Sequence, residues 1–166
     1  YIDFAAEPGF LPRLDEFPNL IVLQTFSKAW GLAGVRLGMA FAAEPVAGLF
    51  ARVKYPYNIN CLAQETLARQ IDRDIAPHVA QIRAERGRMA RALAACPAIE
   101  RVYPSDANFL LVRTAAPDRL YDALIAAGVI VRNRSRVRGC EGCLRITIGL
   151  PEENDRMLRT VQDFRP

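Results

Sequence analysis

Lys28 stands where a lysine can do chemistry. An apolar run, Leu20-Ile21-Val22-Leu23, leads through Gln24-Thr25-Phe26 into Ser27-Lys28-Ala29-Trp30, and Gly31-Leu32-Ala33-Gly34-Val35-Arg36-Leu37-Gly38 follows. Only two lysines, Lys28 and Lys54, occur among the 22 basic residues. A lysine delivered to the end of a buried strand can be desolvated, which favours the neutral, nucleophilic amine. Such an amine condenses with a carbonyl compound to give a Schiff base. Thr25, Ser27 and Arg36 are nearby donors suited to a phosphate, Arg36 through its bidentate fork. The same spacing also suits a surface lysine in a flexible loop, since short glycine- and lysine-bearing loops are common. Spacing alone leaves both readings open.

A second cluster lies near the other end. Arg132, Arg134, Arg136 and Arg138 alternate with Asn133, Ser135 and Val137. In an extended strand all four guanidinium groups would point to one face. Such a face suits a phosphorylated small molecule. It also fits a solvated basic loop or a weak nucleic-acid patch. The alternating aromatics expected of a single-strand binder are absent.

Cys140-Glu141-Gly142-Cys143 is the one spacing that suggests metal or redox chemistry. Zinc would need two further ligands at suitable spacing. Cys61 and Cys96 lie far away, and the single histidine, His78, has no partner nearby in sequence. No metal site is expected. A tight turn centred on Glu141-Gly142, with two incidental thiols, is the simpler reading.

Several elements must position these groups. Leu20 to Gln24 reads as a buried strand and Arg36 to Ala42 as the next. Glu44-Pro45 opens a helix carrying Val46, Leu49, Phe50 and Val53 at helical spacing, with proline tolerated in the first turn. Tyr55-Pro56-Tyr57 breaks it. Ile59, Leu62, Ala63, Leu67 and Ile71 mark a second helix. Pro77 interrupts the pattern, and Val79, Ile82, Met89 and Leu93 resume it. The boundary between two domains is placed in Asp72 to Pro77, giving domains 1–74 and 75–166. Beyond it, Ile99 to Tyr103, Asn108 to Arg113, Val129 to Arg132 and Leu144 to Ile148 read as strands. Pro117 to Ala127 reads as a helix stopped by Gly128. Pro151-Glu152-Glu153 opens a last helix with acids in its first turn. The fold class is α/β: part of a larger α/β sheet, then a small α+β domain.

At 166 residues the chain can bury one core, and not obviously two. Its hydrophobic fraction of 51% and charged fraction of 24% are ordinary globular values, so neither disorder nor a fibrous repeat is indicated. No apolar run reaches the ~18 residues of a membrane span. A net charge of +4 is too mild to imply a polyanion partner. No signal peptide opens the chain, and a cytoplasmic protein is expected.

The wording of the lysine segment decides between the open readings. Thr25-Phe26-Ser27-Lys28-Ala29-Trp30-Gly31-Leu32-Ala33-Gly34-Val35-Arg36-Leu37-Gly38 resembles the lysine motif of fold-type I pyridoxal-phosphate aminotransferases, and most closely the histidinol-phosphate branch. Tyr1-Ile2-Asp3-Phe4, Lys54-Tyr55-Pro56-Tyr57-Asn58-Ile59-Asn60 and Cys143-Leu144-Arg145-Ile146-Thr147-Ile148-Gly149 agree with it in order and spacing. The resemblance covers essentially the whole chain.

It implies pyridoxal 5'-phosphate as cofactor, held as a Schiff base by Lys28, the catalytic acid/base. Tyr1 would hydrogen-bond the cofactor's phenolic oxygen. Thr25, Ser27 and Arg36 would bind its phosphate. Arg145 and Arg132 would hold the substrate's acidic group, with Asn108 as pocket wall or strand-end hydrogen bonder. The implied reaction moves an amino group between L-histidinol phosphate and 2-oxoglutarate in histidine biosynthesis. The implied partners are those small molecules and a second copy of the chain, with Tyr55 to Asn60 near the dimer interface; no nucleic acid or membrane is implied. Aromatic-amino-acid aminotransferases and threonine-phosphate decarboxylases share the lysine motif and stay as alternatives. A non-catalytic fragment or interaction module is a third.

In the resembled enzymes roughly half the chain precedes Tyr-Ile-Asp-Phe. That half carries the aspartate at the pyridine nitrogen, an asparagine near the ring oxygen, the ring-stacking aromatic and the phosphate-binding loop. The present chain is therefore expected to be a C-terminal portion, without useful turnover by itself.

Overall fold

The computed structural model describes residues 1–165. They form two compact units, Tyr1–Val79 and a second beginning at Ala80.

The first unit holds a two-stranded antiparallel ribbon. Strand β1, Ile21–Thr25, pairs with β2, Gly38–Ala42, in the register Ile21 opposite Ala42 and Thr25 opposite Gly38. The ribbon departs from the buried strands expected. Ile21 is 39% and Leu23 75% exposed, because β1 pairs only with β2 among the described residues and little covers its outer face. The second strand also starts later than Arg36. Arg36 adopts the left-handed conformation, φ 57 and ψ 41, so extended structure cannot begin until the chain has passed it.

Helix α1, Glu44–Val53, and helix α2, Cys61–Gln70, follow. Pro45 sits in the first turn of α1, where its missing N–H costs nothing. The helical spacing of Leu49, Phe50 and Val53 is real, yet all three are exposed. The Asn60 side chain caps α2 by accepting from Ala63 N at 2.8 Å, satisfying one of the four orphan donors at a helix start. Phe4 and Ala29 are fully buried and anchor the opening turn and the lysine loop.

Helix α3, Ala76–Ala94, begins in the first unit and runs into the second. Pro77 stands in its first turn, and the Asp74 carboxylate accepts from Ala76 N at 2.9 Å just before it. The proline thus opens this helix instead of interrupting it. His78 is exposed on its surface.

The second unit is a four-stranded antiparallel sheet in the order β3-β4-β6-β5 with two further helices. Its strands are β3 (Arg101–Val102), β4 (Phe109–Arg113), β5 (Arg132–Asn133) and β6 (Cys143–Thr147). Alternation along β4 and β6 sends Leu110, Val112, Leu144 and Ile146 into the core. Met89 and Leu93 of α3 are buried as well, with Leu120 and Leu124 of α4 (Pro117–Ala126) and Met157, Leu158 and Val161 of α5 (Pro151–Asp163). Helix α4 stops as expected: Gly128 takes φ 75, Gly128 N donates to Ile125 O and Val129 N to Leu124 O. That closure engages Val129, so β5 forms at Arg132–Asn133 and not from Val129.

Candidate functional site

Lys28 sits in a turn built by its neighbours. Gly31 N donates to Lys28 O at 3.0 Å and Leu32 N to Phe26 O at 2.9 Å, with Gly31 at φ 68. Phe26 is buried and packs edge-to-face on Trp30, ring centroids 5.7 Å apart. The Arg73 guanidinium donates to Trp30 O at 2.5 Å and ties the loop to the segment after α2. Sequence reasoning had assigned Arg73 no part, and an arginine 43 residues away gives no periodic signal.

The Lys28 residue is exposed. Lys28 Nζ lies 5.7 Å from the centre of the Tyr1 ring. On the other side of the turn, Thr25 Oγ1 is 2.9 Å from Ser27 Oγ and 3.2 Å from Leu37 O, and it accepts from Ser27 N at 3.1 Å. Arg36 Nη1 donates to Ala33 O at 2.9 Å, leaving the rest of the fork for a ligand. Its left-handed backbone is the only positive φ outside glycine among the described residues. Strain of this kind persists where surrounding structure over-determines it, and it concentrates at ligand sites. Within the first unit, hydrogen bonds join Thr25 to Ser27, Lys28 Nζ lies near the Tyr1 ring, and Arg36 bonds Ala33 further along the loop. Lys54, the other lysine, is exposed at the end of α1.

In the second unit the pairing of β5 with β6 sets Arg132 directly opposite Arg145. Residues opposite each other in a sheet share a face, so two like charges stand side by side. Arg145 Nε is buried and has no hydrogen-bond partner among the described residues. Its Cζ lies 4.9 Å from the centre of the Phe109 ring, an attraction between cation and ring face that holds the side chain. Phe109 was not singled out from sequence; its place at the start of β4, near Arg145 across the ladder, was the available signal. A buried guanidinium nitrogen without an acceptor, on a strand position opposite a second arginine, is a donor set suited to an anion.

Asn108 is half-buried at the head of β4, and its carbonyl accepts from Ile148 N at 2.9 Å. The run after Arg132 does not extend as a strand. Asn133 accepts from Ser135 N at 3.0 Å through its side-chain oxygen and donates to Asp118 at 2.6 Å; Val137 N then donates to Arg134 O. These local bonds turn the chain, so Arg134, Arg136 and Arg138 do not line one face with Arg132.

Residues 1–161 match the family profile described as Aminotransferase class I and II. The chain belongs to the class I and II aminotransferase family. A histidinol-phosphate aminotransferase of Parabacteroides distasonis is 51% identical over 99% of this chain and 48% of its own length. The solved histidinol-phosphate aminotransferase of Clostridium acetobutylicum superposes with a TM-score of 0.87 at 25% identity, over 98% of this chain and 51% of that one. A decarboxylase of Sulfurospirillum multivorans gives 0.85 at 28% identity, over 98% and 50%. The chain thus spans about half the length of the curated relatives it matches. Its α/β architecture is that of fold-type I transferases.

Among the described residues no helix is long and apolar enough to cross a membrane.

Proposed function

We propose that this aminotransferase-family chain serves transfer of an amino group between L-histidinol phosphate and 2-oxoglutarate, with Lys28 as the catalytic amine. The observation that carries the reading is the Lys28 loop, which bears the bonded Thr25 and Ser27 hydroxyls and brings Lys28 Nζ within 5.7 Å of the Tyr1 ring centre. The 51% identical relative bears the name of that activity.

The donor set fits pyridoxal phosphate: one amine to condense with an aldehyde, and two hydroxyls and a guanidinium for a dianionic phosphate. When bound, the cofactor supplies a reactive carbonyl carbon and a ring that draws off the electron pair of a breaking bond. Everything else falls to the chain. Thr25 and Ser27 donate hydroxyl hydrogens to the phosphate, and Arg36 neutralises part of its charge. Lys28 Nζ would move the proton between the substrate's amine-bearing carbon and the cofactor's carbonyl carbon. Tyr1 donates its phenolic hydrogen to the ring oxygen. Arg145 and Arg132 take the substrate's anionic group, phosphate in one half-reaction and carboxylate in the other. Asn108 is assigned to the wall of that pocket. On this reading residues 1–74 belong to the cofactor-binding domain and 75–166 to a small domain. Tyr55 and Tyr57, exposed and edge-to-face at 5.8 Å, belong to the interface of a homodimer. The setting is cytoplasmic.

Borohydride reduction in the presence of pyridoxal phosphate, followed by peptide mapping, tests the amine. Label confined to Lys28 is expected; label spread over Lys54 and the N-terminus overturns the assignment. A panel of amino donors tests the substrate. Faster turnover of aromatic amino acids than of histidinol phosphate, or release of carbon dioxide from phosphothreonine, overturns it.

A further inference from the structure

Cys140 and Cys143 are used by nothing above. The two thiols flank a tight turn in which Cys143 N donates to Cys140 O at 2.9 Å and Gly142 takes φ 74. Such a four-residue turn keeps its end Cα atoms within about 7 Å, and a disulfide needs about 4.4–6.8 Å. The Cys143 sulfur lies 3.7 Å from Glu141 O, inside the same turn. Both cysteines are free thiols; Cys143 is buried and Cys140 half-buried. Among the described residues no group of three or more histidine, cysteine or acidic side chains gathers to hold a metal.

We propose that Cys140 and Cys143 form a reversible dithiol–disulfide site, oxidised by small-molecule disulfides. Cys140, the accessible partner, loses its proton and attacks one sulfur of the incoming disulfide. The S–S bond breaks and one small thiolate leaves. Cys143 then loses its proton and attacks the Cys140 sulfur, expelling the second small thiolate. The two cysteines are oxidised, the small disulfide is reduced, and the two thiol protons end on the two released thiols. Burial pushes the Cys143 thiol up, and the nearby charge of Cys140 adds to this, which suits it to the resolving step and not to first attack.

The position gives the bond a consequence. Residues 134–142 join β5 to β6, and Arg134 N donates to Cys143 O at 2.8 Å on the loop's other side. A disulfide would staple the end of this arginine-bearing loop two residues before Arg145. The proposal is independent of the aminotransferase reading.

The test is incubation of the folded protein with glutathione disulfide at several ratios to glutathione, acid quenching, alkylation with N-ethylmaleimide and peptide mapping by mass. The expected product is a peptide in which Cys140 and Cys143 are joined, lighter by two hydrogen atoms, resistant to alkylation until reduced. Its fraction should follow the ratio reversibly. Cys143→Ser should arrest at a glutathione adduct on Cys140, and Cys140→Ser should leave Cys143 unreacted. Three results would overturn the proposal: an adduct persisting on wild-type Cys140, both cysteines alkylated while exposed Cys61 is glutathionylated, or closure only in denaturant. The wild-type mapping decides the matter even where a variant fails to fold.

Discussion

Arg132 lies directly opposite Arg145 across the antiparallel pair β5 and β6, and the Arg145 side chain keeps a buried nitrogen without a hydrogen-bond acceptor. Like charges opposed in a sheet cost stability, and an orphaned buried donor costs more. An anion bound between them would relieve both. Phosphate is therefore expected to raise the melting temperature more than chloride at equal ionic strength, with the difference lost in Arg145→Ala. In turnover assays of a full-length enzyme carrying this segment, Arg145→Ala should raise KM for the phosphorylated substrate about 10–100-fold, the worth of one hydrogen bond to a charged group. Arg132→Ala should leave unfolding free energy unchanged or higher by about 0.2–1 kcal/mol.

Lys28→Arg keeps the positive charge but cannot condense with an aldehyde. Borohydride labelling at this position should vanish, and in a full-length enzyme carrying this segment turnover should fall by at least about 10²–10⁴, the range of acid–base catalysis alone. Because Lys28 is exposed, melting temperature should not change. A folded Lys28→Arg protein with undiminished turnover would remove the amine from the mechanism.

Arg36 separates backbone from side chain. At φ 57 a residue with a Cβ is strained, and glycine is not. Arg36→Gly should hold or raise stability by up to about 1 kcal/mol while weakening pyridoxal-phosphate binding. Arg36→Ala keeps the strain, so its stability should stay near wild type while pyridoxal-phosphate binding weakens as much as in Arg36→Gly. Urea denaturation and cofactor titration on the two variants distinguish a ligand role from a purely conformational one.

Asn154 is buried and ties the head of α5 to α3. Its Nδ2 donates to Glu85 Oε2 at 2.7 Å and to Gly149 O at 3.1 Å, and its Oδ1 accepts from Gly149 N at 2.9 Å. Asn154→Ala should cost about 1–3 kcal/mol, since it strands buried polar groups. Urea denaturation monitored by circular dichroism measures it.

Glu85 makes the same corner sensitive to acid. A hydrogen bond from Arg88 holds its carboxyl below the usual range; burial opposes this, while Asn154 and the Arg88 charge add to it. The folded state thus binds this proton less readily than the unfolded state. The stability it contributes is present at neutral pH. That stability is lost as pH falls below the ordinary carboxylate value and through the lower folded one. Unfolding free energy across that acid window should fall more steeply for wild type than for Glu85→Gln.

Most of the architecture was legible because local chemistry and tertiary need agree. Pro117 with Gly128, and Pro151 with Glu152 and Glu153, set helix ends by local chemistry within a few residues; the Asn60 cap, which starts the second helix after Ile59, was not read from sequence. Asn108 to Arg113 and Leu144 to Ile148 read as strands, and β4 and β6 form there to within a residue or so. The Lys28 loop was legible as a motif, and Thr25 and Ser27 are bonded within it.

Where local signals competed with distant partners, sequence fell short. Leu20 to Gln24 reads as buried because its residues are apolar, but burial depends on what covers a strand, and Leu23 is 75% exposed. Arg132 to Arg138 alternates like a strand, but the Asn133 side chain bonds the backbone of Ser135 and bends it. Sequence by itself determined the chemistry-bearing residue types and the ends of the elements that carry them, because those depend on near neighbours. Only the tertiary structure decided that Arg132 meets Arg145, that Phe109 holds the latter's guanidinium, and that Arg73 pins the lysine loop, because register and long-range contact are set by pairings that no local pattern encodes.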